Sequence, residues 1–131
     1  MADTEEMRKG FFDGKVTDWV IRIPDKTGKN LTLSKNPVTM NPIGGGKPIH
    51  RDKIRLVWLR QSDYPDKVMT IEEISGGTPE KRELRFGYYI IGKKGRKKGR
   101  WTWGQFALIA PKEPNHDIQD LIQLAREKGL L

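Results

Sequence analysis

The sequence predicts an α+β fold, an antiparallel sheet of five to six strands in hairpins and a meander with one C-terminal α-helix packed on a face. Three observations carry this expectation. Residues 18–23 place Trp19, Ile21 and Ile23 on one side and Asp18 and Arg22 on the other, the period of a half-buried strand. Residues 54–59, 68–74 and 83–91 are further strand-like runs separated by turn chemistry. Ile118, Leu121, Ile122 and Ala125 recur at i, i+3, i+4 and i+7, the stripe of an amphipathic helix. With 131 residues the chain fits a single domain that can bury a core without covalent staples.

Taken in order, residues 1–15 are polar, with Met7, Phe11 and Phe12 as their apolar anchors, and predict a frayed, partly disordered start. A first hairpin spans about 16–34, turning at Pro24-Asp25-Lys26-Thr27-Gly28-Lys29-Asn30. Residues 35–52 hold Pro37, Pro42 and Pro48 with Gly44-Gly45-Gly46 and read as a long loop. Gly44-Gly45-Gly46-Lys47 superficially suggests a phosphate loop. That motif needs Gly-Lys-Ser/Thr opening a helix, whereas Pro48 follows Lys47, so a flexible connector is the better reading. Residues 54–59 are apolar on both faces apart from Arg55, as in a central or helix-covered strand. The helix is expected over 115–128, with Asn115 as its cap, an acidic start at Asp117 and a stop at Gly129.

Charge is concentrated. The formal net charge is +8, and residues 81–112 carry ten Lys/Arg against Glu83 alone, so this stretch accounts for the whole excess. Its centre is 92–100, Gly-Lys-Lys-Gly-Arg-Lys-Lys-Gly-Arg, with a strand-like run on each side, which predicts a hairpin with a cationic tip. Lys93, Lys94, Arg96, Lys97, Lys98 and Arg100 would present a dense positive patch to phosphates, where counterion release supplies sequence-independent affinity. A solvated tip that binds nothing is the plainer alternative.

Aromatic residues adjoin this charge. Tyr89 precedes the tip, and Trp101 and Trp103 open a last strand expected over 101–110, sharing one face while Phe106 and Leu108 share the other. If the Phe106/Leu108 side meets the helix, the two indoles lie on an open face as a stacking platform for unpaired bases. The alternative makes both tryptophans core.

Catalytic and metal readings are thin. There are no cysteines and two histidines, which excludes a disulfide framework and thiolate metal sites and argues against a structural zinc. His116 and Asp117 fit a helix start, and His50-Arg51-Asp52 has no evident acid/base partner. Glu72 and Glu73, with Glu80 and Glu83 nearby, are the carboxylates a metal-dependent nuclease would use, without a recognisable nuclease spacing. No apolar run reaches the roughly 20 residues of a membrane span, and the acidic N-terminus is unlike a signal peptide, so a cytoplasmic protein without a membrane partner is expected.

The order of strands, basic Gly-Lys-Gly-Arg-type turn, last strand and Ile/Leu-striped helix, over about residues 81–129, resembles in layout the single-strand binders of the positive-cofactor coactivator and Pur types. The Trp-rich last strand and the Pro/Gly loop at 35–52 depart from that layout, and no functional residue is carried over. The expectation is thus a non-enzymatic nucleic-acid-binding domain for single-stranded DNA or RNA, without a cofactor, using the six tip cations and Tyr89, Trp101 and Trp103. A module docking on an acidic protein surface and a metal-dependent nuclease are the rivals, and a homodimer is left open.

Overall fold

The computed structural model describes residues 7–14, 18–34, 38–42, 44–78, 80–104 and 106–131. In chain order they form β1 (Lys9–Asp13), β2 (Asp18–Pro24), β3 (Asn30–Ser34), β4 (Val38–Met40), β5 (Ile49–Arg51), β6 (Lys53–Arg60), β7 (Lys67–Ser75), β8 (Arg82–Ile91), β9 (Trp101–Trp103) and α1 (Asp117–Glu127), with a 3-10 turn at Gly95–Lys97 between β8 and β9. The main sheet is antiparallel in the order β1-β6-β7-β8-β9, and β2-β3 and β4-β5 are separate two-stranded ribbons. The fold is α+β, with the C-terminal helix packed on the sheet, as the sequence predicts.

Alternation along the central strands divides the core into two layers. Leu56, Trp58, Val68 and Tyr89 face the β2-β3 ribbon and bury Trp19, Ile21, Ile23, Leu31 and Leu33 against it. Val57, Leu59, Met69 and Ile71 face the other way, onto Leu121, Leu124, Ala125 and Leu130. Both faces of β6 and β7 are therefore covered, which explains why 54–59 is apolar on successive residues.

Four expectations need correction. The start of the chain holds a strand: Lys9–Asp13 pairs with β6, sending Phe11 to the helix side and stacking Phe12 on Trp19 at 5.6 Å between ring centres. Residues 1–6 and 15 lie outside the described residues. The 35–52 loop contains a ribbon, with Val38–Met40 paired to Ile49–Arg51 and Gly44, Gly45 and Gly46 in its connection. The last strand ends at Trp103 rather than 110; Gly104 still donates its N–H to the Tyr88 carbonyl at 2.8 Å, and the Tyr88 ring occupies the space a Cβ at Gly104 would need. At the helix start, the N-cap position belongs to His116, which makes no side-chain cap bond, rather than to Asn115. Asp117 is buried and accepts from Ser62 N at 2.9 Å and Ser62 Oγ at 2.7 Å, so it fastens the helix to the β6-β7 connection.

Candidate nucleic-acid interface

The tip between β8 and β9 is a closed, braced turn. The strands pair in the register Tyr89↔Trp103, Ile90↔Thr102 and Ile91↔Trp101. Gly92 N donates to Arg100 O at 2.9 Å, Gly99 N to Gly92 O at 2.8 Å and Arg100 N to Lys97 O at 2.9 Å. Gly95 and Gly99 hold φ of 74° and 77°, left-handed values that L side chains rarely adopt, which is why glycine punctuates the cations here. The β2-β3 turn supports the tip from one side: Lys26 N donates to Gly99 O at 2.9 Å, and Trp101 Nε1 to Ile23 O at 2.9 Å.

This bracing holds Lys94, Arg96, Lys97, Lys98 and Arg100 at the surface, and none of them is ion-paired among the described residues. Lys93 differs, with Nζ 5.2 Å from the centre of the Tyr64 ring. A hydrogen bond to Tyr64 raises its pKa above the ordinary lysine value. The structure thus brings all six predicted cations to one turn.

Beside the tip runs a groove of about 720 Å³ between β9 and the β2-β3 ribbon. Lys97, Arg100 and Lys29 stand among its walls, and Trp101, Trp103 and Tyr89 contribute aromatic surface. The two indoles satisfy neither sequence alternative in full. Both are half-buried and packed against the ribbon core, so they form part of a groove wall rather than an open platform. Leu108 does meet the helix-side core, whereas Phe106 is 85% exposed.

Tyr89 requires a correction, because its side chain is only 8% exposed and is held from beneath. Its ring sits edge-on to Trp103 at 4.9 Å between centres. Its hydroxyl accepts from Lys53 Nζ at 3.1 Å and donates to Glu72 Oε2 at 3.2 Å. Glu72 is 0% exposed, with Thr70 Oγ1 donating to Oε2 at 3.2 Å and Arg85 approaching Oε1 through Nε at 2.9 Å and Nη2 at 2.7 Å. Burial pushes the Tyr89 phenol well above its ordinary pKa, with the Glu72 charge adding to the effect. Burial also lowers Lys53, opposed by attraction to Glu72. A face of Trp103 therefore rests on a fixed lattice of charge.

Sequence reasoning did not find this network. Its one legible trace is Thr70 and Glu72, two polar residues that alternate with Val68 and Ile74 along one face of β7. Their partners depend on the β7-β8 register, in which Glu72 stands opposite Arg85.

The other candidates are dispersed. Glu73 lies on the opposite face of β7 from Glu72 and pairs with Arg55 Nε at 3.0 Å. Glu83 lies 3.7 Å from Arg51. Among the described residues no three His, Cys, Asp or Glu side chains gather as metal ligands. His50 contacts Thr39 Oγ1 across the β4-β5 ribbon at 3.1 Å. No helix among the described residues is long and apolar enough to cross a membrane. Neither a family model, nor a curated protein, nor a solved structure matches the chain.

Proposed function

We propose that this protein is a small non-enzymatic domain that binds single-stranded DNA or RNA, with Lys93, Lys94, Arg96, Lys97, Lys98 and Arg100 on phosphates and Trp101 and Trp103 against bases. The observation that carries this reading is the adjacency of the braced cationic tip to the tryptophan-walled groove, with Lys97 and Arg100 belonging to both. Cations that form no ion pair among the described residues keep their charge available to a polyanion, and a rigid turn loses little conformational freedom on binding. A groove walled by indoles suits an unpaired base better than a duplex, because a duplex offers its bases only at groove edges. Tyr89 supports the site by fixing Trp103 and does not itself meet a base.

Fluorescence anisotropy with single- and double-stranded DNA and RNA oligonucleotides over a salt series tests the proposal. The wild-type protein prefers single strands, with log affinity falling linearly against log salt. Replacing Lys93, Lys94, Lys97 and Lys98 together by Ala weakens binding to all sequences alike and flattens that slope by about 0.7–0.9 for each phosphate no longer neutralised. Equal affinity and slope for the two proteins would remove the reading.

A further inference from the structure

The main sheet has an unfinished edge. β9 covers only the Tyr89–Ile91 end of β8, and among the described residues no strand pairs with the other side of Glu83 to Gly87. Parity shows which backbone groups point outward. Ile91 N donates inward to Asp66 O, and Tyr88 O accepts from Gly104 on the β9 side, so even-numbered residues of β8 face the open edge. The N–H and C=O groups of Leu84 and Phe86 therefore point away from the sheet, and among the described residues nothing bonds to them. The same residues are exposed apolar side chains, Leu84 at 39% and Phe86 at 51%. An extended, apolar edge with open backbone groups is a template for another strand.

We infer that the occupant is a second copy of this chain, with β8 pairing antiparallel to β8 about a two-fold axis at Leu84 to make a continuous ten-stranded sheet. Charge selects both partner and register. Outward-facing residues must oppose one another, so the two-fold passes through a residue of β8. At Glu83 or Arg85 it would set that charge against its own copy, and like charges directly opposite are unfavourable. At Phe86 the pairing would need Tyr88, whose carbonyl already serves Gly104. At Leu84 the leucines oppose each other, and each Glu83 stands opposite the Arg85 of the other copy. The Arg85 guanidinium has five donors, of which Nε and Nη2 are directed at Glu72.

The remaining charge does not oppose this pairing. Gly92 lies eight residues from Leu84, roughly 27 Å at the rise of an antiparallel strand. Antiparallel pairing sends the two cationic tips to opposite ends of the sheet, separated by several times the roughly 8 Å screening length at physiological salt. A two-fold perpendicular to the sheet leaves both grooves on one face.

Sedimentation velocity over a concentration series, with cysteine cross-linking, decides the matter. The chain has no cysteine, so single introductions report cleanly. The wild-type protein sediments as a monomer–dimer equilibrium. Leu84→Cys, opposite itself at a Cα spacing of about 5.5 Å, forms a covalent dimer on mild oxidation. Phe86→Cys, displaced by four residues from its copy, does not. Glu83→Arg weakens dimerisation at least tenfold while its circular dichroism matches that of wild type. A monomer at every concentration, cross-linking through position 86 as fast as through 84, or a ladder of higher oligomers from β8 pairing with the β1 edge would each overturn the inference.

Discussion

Arg85 holds its guanidinium carbon 4.0 Å from the centre of the Trp103 ring while its Nε donates to the buried Glu72 at 2.9 Å. One side chain thus fixes an aromatic wall of the groove on its outer side and neutralises a carboxylate on its inner side. Space for the indole comes from Gly87, where an added Cβ would collide with the Trp103 ring.

Gly87→Ala therefore displaces Trp103 rather than merely filling a gap, and lowers stability by about 1–3 kcal/mol, the range of a small overpacking change. Intrinsic tryptophan fluorescence shifts as the indole leaves its stack. Chemical denaturation and emission spectra on the same sample check both effects, and an unaltered spectrum with unaltered stability would show that the indole is not held there.

Trp103→Ala weakens the fold and the ligand site together. Half-burial places its stability cost at about 2–4 kcal/mol, below that of a fully enclosed tryptophan. Loss of stacking removes about 1–3 kcal/mol of single-strand affinity and leaves the salt slope unchanged, since stacking releases no counterions. Melting and anisotropy at a temperature where the variant stays folded separate the two quantities.

Glu72→Gln leaves Arg85 facing an amide beneath the indole and takes the countercharge from beside Lys53. Removing one member of a buried ion pair costs about 3–5 kcal/mol. The double variant Glu72→Gln/Arg85→Met, which removes both charges, recovers part of that loss, as a denaturation series on the single and double variants will show.

Tyr89 gives the fold an alkaline limit. Its folded-state pKa lies well above 10.0, so the unfolded chain loses this proton first as pH rises. The associated stability is fully present below pH 10.0 and declines as pH climbs from there toward the folded-state value. Lys53, lowered by burial, acts in the opposite sense, with stability rising as pH approaches 10.5 from below. Denaturation at pH 8, 9, 10 and 11 should therefore show Tyr89→Phe retaining more of its pH 9 stability at pH 11 than wild type does.

Leu121→Ala tests the helix layer. Leu121 is buried against the sheet with Leu124 and Ala125, and truncation costs about 2–5 kcal/mol. A loss under half a kcal/mol would mean that the helix adds little to the core.

The sequence by itself determined the elements whose signals are local. Alternation of Trp19, Ile21 and Ile23 prescribes a half-buried strand, the Ile118-Leu121-Ile122-Ala125 stripe prescribes the helix, and glycines among clustered cations prescribe a basic turn between strands. What it left to the tertiary structure depends on which strands become neighbours. The register that sets Glu72 opposite Arg85 puts a buried ion pair under Trp103 and turns Tyr89 inward, and no spacing along the chain encodes that distance. The close approach of the Tyr88 ring to Gly104 is likewise a tertiary contact, and the strand at Lys9–Asp13 exists because β6 offers it an edge. Strand pairing and side-chain packing are non-local, so polar residues such as Thr70 and Glu72 take their meaning from partners many positions away.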